Sequence, residues 1–433
     1  MVQFYKIKHS SKNNPTVFKG FVSAIDHRLQ GIIHYQQQTY FAQDVLPEEE
    51  VQLKVTGKRK AQLLKVLQAD PRRIKPACQY YGQCGGCQGQ ILSFDEQLNL
   101  KAPEVKRLIE QLSGYEQLMP PQLFYGQDWR YRRVTRLATW FDHRRGWQLG
   151  FRQSQSKQLV QIDSCLVLQE SLNALIPPLQ GLLNAFSKSA KLGHVELYDC
   201  LPQPAVRLRL TSALTAKQRQ LCTQFANEQQ VSFFVSDLKS EQYLVGSDCY
   251  YQLGELAIHF TPGDFIQVNP LLNEQMVQLA QQWLALKGED RLLDLYSGVG
   301  NFTLPLAKQV RSVVAIEGIE RMSEQLRVNA KLNQLNNIKA LSGDLDDPKT
   351  LAGICETIDK VLLDPARSGA QTALESVAKA GVKAVLYIAC DPATMARDLA
   401  IAHKYGYKIQ RWALINMFSQ TSHVETVVLL SAD

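Results

Sequence analysis

Two cysteine settings in this 433-residue chain are suited to chemistry. The first is Cys78, Cys84 and Cys87, spaced C-x5-C-x2-C around Gly85 and Gly86. Three thiolates on one glycine-rich loop are soft ligands, and the glycines let the backbone fold tightly around a metal ion or an inorganic cluster. This spacing fits tetrahedral zinc and a [4Fe–4S] cluster alike. A fourth ligand must come from elsewhere, with Cys165, Cys200, Cys222, Cys249 and Cys355 all open. The second setting is Cys390-Asp391-Pro392, where the apolar run KAVLYIAC gives way to the helix-like ATMARDLA. Proline suits a first helical position and an acidic residue suits the cap. The thiol is therefore expected beside a helix N-terminus, whose peptide dipoles favour a thiolate.

Carboxylates fall at matching points. Asp364-Pro365-Ala366-Arg367 ends another apolar run, bringing an acid and a guanidinium to the same edge. Glu425, in Ser422-His423-Val424-Glu425, opens the strand-like TVVLL and can act as a general base if it faces a pocket. Asp294-Leu-Tyr-Ser-Gly298-Val-Gly300-Asn has the glycines of a strand-to-helix turn that lets backbone approach a ligand, and Glu317 ends the next strand, placed to hold a ribose diol. Thr303 occupies the place of the third glycine in G-x-G-x-x-G, which argues against a dinucleotide. The turn suits S-adenosylmethionine better.

Three zones must position these groups. Residues 1–70 alternate strand-like runs with turns and predict a small β-barrel of the oligonucleotide-binding type, with Lys54, Lys58, Arg59 and Lys60 fitted to a polyanion. Residues 71–265 are mixed α+β. They include one helical stretch, FDEQLNLKAPEVKRLIEQL, and a basic, aromatic segment from Trp129 to Trp147. From 266 to 433 strands alternate with helices, predicting a doubly wound, Rossmann-like α/β unit. Charge follows the same division. Residues 1–165 carry 24 Lys/Arg against 14 Asp/Glu, and the remainder 24 against 27. A basic front of this kind is expected to meet nucleic acid. No run approaches the roughly 18 apolar residues that span a bilayer, and the N-terminus lacks a secretory apolar region, so a cytoplasmic location without membrane attachment is expected. Nine cysteines, three of them within ten residues, point to a ligand site rather than a disulfide framework.

These residues together resemble the RNA uracil-C5 methyltransferase family, within it the subgroup acting on bacterial 23S rRNA, over nearly the whole chain. The resemblance implies that 1–70 is a TRAM barrel and that Cys78, Cys84, Cys87 and, in IDSCLVL, Cys165 hold a [4Fe–4S] cluster. It also implies that Gln267, Tyr296, Asn301, Glu317, Asp344 and Asp364 contact S-adenosylmethionine, that Cys390 is the nucleophile and that Glu425 is the base. It places part of 96–127 with the catalytic unit. The chain departs from the usual pattern at Ala389, Asp391 and Asp344, where the family more often has Ser, Asn and an amide; these departures bear on fine tuning. The implied partner is a single-stranded or loop region of 23S rRNA, and the implied enzyme a monomer. Such chemistry needs the cysteine because uracil C5 is a weak nucleophile until a thiolate adds at C6. The alternatives are another rRNA or tRNA uridine as target, a non-catalytic RNA-binding iron–sulfur module, a radical S-adenosylmethionine enzyme and an NAD oxidoreductase. The C-x3-C-x2-C spacing of the radical enzymes disagrees with the spacing here.

Overall fold

The computed structural model describes residues 16–154, 156–237 and 240–432. The expectations for the first fifteen residues, the missing secretory region and the start of the 1–70 barrel, lie outside the described residues. Strands Val17–Ile25, Gly31–Tyr35, Gln38–Ala42, Glu50–Gly57 and Lys60–Gln68 close into a five-stranded barrel. Strand alternation turns Phe18, Val22, Ile33, Val51 and Leu53 inward to fill it.

A seven-stranded sheet follows, ordered Glu241–Val245, Ser232–Ser236, Ala205–Leu210, Leu192–Tyr198, Val134–Asp142, Gly146–Arg152, Leu159–Gln161. Helices Ile176–Asn184 and Ala216–Gln229 cover one face, burying Leu137, Leu149, Val195 and Leu208 against Leu179, Leu183 and Phe225. Alternation leaves Arg136, Trp140 and Arg209 exposed on the other.

The third layer is an eight-stranded sheet. Five parallel strands run in the order Ile338–Ser342, Ser312–Glu317, Arg291–Leu295, Lys360–Leu363, Ala384–Ala389. Antiparallel Glu425–Ser431 and Lys408–Ile415 come next, and Gln122–Phe124 closes the edge. Helices lie on both faces, which is why the central strands read as unbroken apolar runs: Leu292, Leu293, Val361, Leu362, Val385 and Leu386 are fully buried. Among the covering helices is Phe94–Ser113, which sets Leu98, Val105 and Ile109 into the same core as Leu399 and Ala402 of Pro392–Lys404. The hairpin Cys249–Leu253/Leu256–Phe260 packs on the opposite face with Met276 and Leu292. No described helix is long and apolar enough to cross a membrane.

Candidate active site

The carboxyl ends of the parallel strands, where loops begin, collect the groups singled out above. Cys390 follows Ala389, which pairs across the sheet with Thr426, so the thiol stands next to Glu425 at the adjoining strand's entrance. Asp364 follows Leu363, the partner of Tyr387 on the other side of the same strand. Asp391 caps helix Pro392–Lys404, accepting from the backbone N–H groups of Ala393 at 3.0 Å and Thr394 at 3.2 Å. That cap fixes the direction in which the chain leaves Cys390. From the barrel, Arg28 Nη2 donates to the same Asp391 carboxylate at 3.3 Å, which places the barrel against the mouth of the site.

Burial governs the electrostatics here. It pushes the Cys390 thiol up to about 11, reinforced by the negative charge of Glu425 and Asp364 and opposed by the Arg367 guanidinium. The helix N-terminus at Cys390 is present as expected, but desolvation is the largest influence and keeps the free thiol protonated at neutral pH. Glu425, fully enclosed, is pushed well above the usual carboxylate range, first by burial and then by Asp364. Asp364 is raised by burial and by Asp294, and Gln267 Nε2 partly offsets this by donating to it at 3.3 Å. Asp294 is itself raised to about 7 by burial despite accepting from Thr303. The edge therefore carries a row of acids, Glu317, Asp294, Asp364 and Glu425, with the thiol between the last two. Such a row suits a positively charged ligand.

The glycine turn is strained in the manner its sequence suggests. Tyr296 and Gly298 have φ of +64° and +57°, and Gly300 has +105°, where a Cβ would stand 2.5 Å from Leu326 Cδ1. Glu317 braces the loop, accepting from Gly298 N and Ile319 N at 3.0 Å each. The Tyr296 hydroxyl and Ser297 Oγ are buried without partners and the Asp294 Oδ1 likewise, leaving polar atoms for a ligand to satisfy. Asp344, exposed beyond strand Ile338–Ser342, accepts from Asp346 N. Asn301 Nδ2 donates to Asn273 Oδ1 at 2.8 Å, and its Oδ1 accepts from Asn273 Nδ2 at 2.8 Å and from Tyr251 Oη at 3.0 Å, which holds the side chain beside the glycine turn.

Cys78, Cys84, Cys87 and Cys165 line one cavity of about 280 Å³ with Tyr80, Arg132 and Thr421. Gly85 sits where a Cβ would come within 3.0 Å of Arg152 O, which explains a glycine there. Burial raises Cys87 to about 12 and Cys165 to about 11, and the neighbouring sulfurs add to both shifts. No group of three or more His, Cys, Asp or Glu among the described residues is arranged to hold a single metal ion.

Three features escaped the sequence reading: the Asn273–Tyr251 clasp, the Arg28 contact, and Lys101, fully buried on helix Phe94–Ser113. Only the last left a local signal, a lysine on the apolar face between Leu98 and Val105.

The strand order, with these groups gathered at the carboxyl edge of the parallel strands, is that of a Rossmann-like sheet, whose ligands bind at that edge. Residues 93–433 match the family described as tRNA (Uracil-5-)-methyltransferase. The chain is 40% identical over 442 residues, spanning all of both proteins, to 23S rRNA (uracil(1939)-C(5))-methyltransferase RlmD of Shewanella sediminis. It is 40% identical to the protein of the same name from Haemophilus parainfluenzae, over 94% of this chain and 95% of that one. In fold it is similar to the Pyrococcus abyssi tRNA (uracil-54, C5)-methyltransferase solved with S-adenosyl-L-homocysteine. That match has a TM-score of 0.74 at 21% identity and covers 95% of this chain and 99% of the other. The chain belongs to the tRNA (uracil-5-)-methyltransferase family.

Proposed function

We propose that the protein methylates C5 of a specific uridine in 23S rRNA, with S-adenosylmethionine as methyl donor. The supporting observation is the placement of Cys390, Glu425 and Asp364 on adjoining strand ends of one sheet edge. The Cys390 thiol gives up its proton to solvent, the thiolate adds to uracil C6, and the C5–C6 π pair moves toward C5 and the O4 enolate. When bound, S-adenosylmethionine supplies an electrophilic sulfonium methyl, whose positive charge favours ionised thiolate and carboxylate nearby. C5 takes the methyl with release of S-adenosylhomocysteine. The Glu425 carboxylate then removes the C5 proton, the C6–sulfur bond breaks, and the C5–C6 double bond returns. Gln267, Tyr296, Asn301, Glu317, Asp344 and Asp364 hold the cofactor. The target nucleotide must leave its stack to reach Cys390, which favours a single-stranded or loop segment.

In the same reading Cys78, Cys84, Cys87 and Cys165 hold a [4Fe–4S] cluster. Four sulfurs around one shared cavity, on a glycine-rich loop and a second segment, supply the soft ligand set such a cluster takes. The cluster's place is structural, between the barrel and the loop that leads to Glu425. The domains are 1–70, an RNA-binding barrel; 71–265, a central RNA-binding unit of which part of 96–127 packs with the catalytic unit; and 266–433, the catalytic unit. The enzyme works in the cytoplasm as a monomer. Incubation with methyl-labelled S-adenosylmethionine and 23S rRNA fragments tests the reading. Label at uracil C5 is expected, and label confined to other atoms or none at all would overturn it. Comparing rRNA from cells with and without the gene locates the nucleotide.

A further inference from the structure

Lys101 lies in the middle of helix Phe94–Ser113 with none of its surface exposed. Among the described residues its ammonium forms no ion pair with a carboxylate. Nζ instead donates to two main-chain carbonyls, Thr421 O at 2.8 Å and His423 O at 2.9 Å. Burial is the sole influence on its titration and lowers it to about 7. Two carbonyl acceptors match the two N–H groups of a neutral amine, so the contact survives loss of the proton. A lysine buried so completely is costly unless its bonds hold something in place.

What they hold is the turn before Glu425. One helical turn earlier Gln97 forms a reciprocal pair with Gln420: Nε2 donates to Gln420 Oε1 at 2.8 Å, and Oε1 accepts from Gln420 N at 2.9 Å. Gln420 has φ of +68°, a conformation a non-glycine residue keeps only when its surroundings enforce it. From the cysteine loop, Gln88 N and Gly89 N both donate to Gln420 O at 2.9 Å, and Gln88 Oε1 accepts from Ser422 N at 3.1 Å. The backbone from 420 to 423 is thus gripped at nearly every residue by side chains and main chain outside the 266–433 span. Glu425 begins its strand two residues later.

We propose that Gln97 and Lys101, one face of a single helix, are positioning residues for Glu425, fixing the turn that presents its carboxylate to the C5 proton. The inference rests on Glu425 being the base. A positioning defect of this kind falls on proton removal after methyl transfer, whereas a merely structural one lowers both steps together.

Single-turnover reactions separate the steps, using RNA tritiated at C5 of the target uridine and methyl-labelled S-adenosylmethionine. For Lys101→Met we expect methyl transfer within about threefold of the parent, tritium release at least tenfold slower, and methylated RNA accumulating covalently on the protein. Gln97→Ala, which removes both neutral bonds to Gln420, is expected to act the same way more mildly, and it decides the matter if Lys101→Met does not fold. Equal slowing of both steps, or normal tritium release without adduct in a folded variant, would overturn the proposal. Glu425→Gln run alongside isolates the premise. Adduct in Glu425→Gln but not in Lys101→Met or Gln97→Ala refutes the positioning role alone. No adduct in Glu425→Gln refutes the base assignment itself.

Discussion

Arg367 favours ionisation of Cys390, its positive charge opposing burial, Glu425 and Asp364. With the thiol near 11, only about one molecule in a thousand carries the thiolate at pH 8 in the free enzyme. Arg367 is exposed, so solvent screens much of its field, and a guanidinium near the sulfur is worth about one pKa unit, or ~1.4 kcal/mol. Arg367→Gln should therefore raise the thiol further and reduce the thiolate about tenfold at any pH below its titration. The assay is the alkylation rate of the Cys390 peptide, followed by mass spectrometry in the folded protein. Because thiolate rises tenfold per pH unit below the pKa, log rate should climb with unit slope from pH 7 to 9 with no plateau. The variant's line should run parallel and about one log unit lower. A plateau near pH 8 in the parent would show that burial does not control this thiol, and superimposable lines would show that Arg367 does not oppose it.

Gly300→Ala forces a side chain into +105° backbone and onto Leu326, so S-adenosylmethionine affinity measured by calorimetry should fall at least tenfold, with a lower Tm. Leu53→Ala empties part of the barrel core and should cost about 2–5 kcal/mol of barrel stability. Its RNA affinity should drop while S-adenosylmethionine binding holds; equal loss of both would contradict a barrel that serves RNA alone. Cys165→Ala should abolish the visible iron–sulfur absorption of protein purified without oxygen, and an intact chromophore would remove Cys165 from the ligand set.

The sequence made legible what short-range chemistry determines. Apolar runs bounded by Gly or Asp-Pro became the strands Arg291–Leu295, Lys360–Leu363 and Ala384–Ala389, because strands buried on both faces tolerate few polar residues. The strand-end groups Glu317, Asp364 and Cys390 came to one edge for the same reason: parallel strands finish on the same side. Pairings across long separations were not legible. Nothing local in Gln122–Phe124 indicates that it pairs with Lys408–Ile415, nor in Arg28 that it reaches Asp391. The engagement of the Asn301 side chain by Asn273 and Tyr251, both distant in sequence, was equally out of reach. The thiol was likewise placed correctly next to a helix end, but its titration depends on burial, which is set by the whole fold.

The edge pairing bears on how the chain is made. Met119 O receives the Trp412 indole N–H from a residue 293 positions later. At ordinary bacterial elongation rates that interval lasts ~15–60 s. Throughout it, helix Phe94–Ser113 waits at the ribosome with its greasy stripe of Leu98, Val105 and Ile109 uncovered, as the surface that will receive it is still unsynthesised. Nascent chains of this protein should accordingly be clients of ribosome-associated chaperones, and a gene cut at residue 266 would yield a methyltransferase sheet with a bare flank.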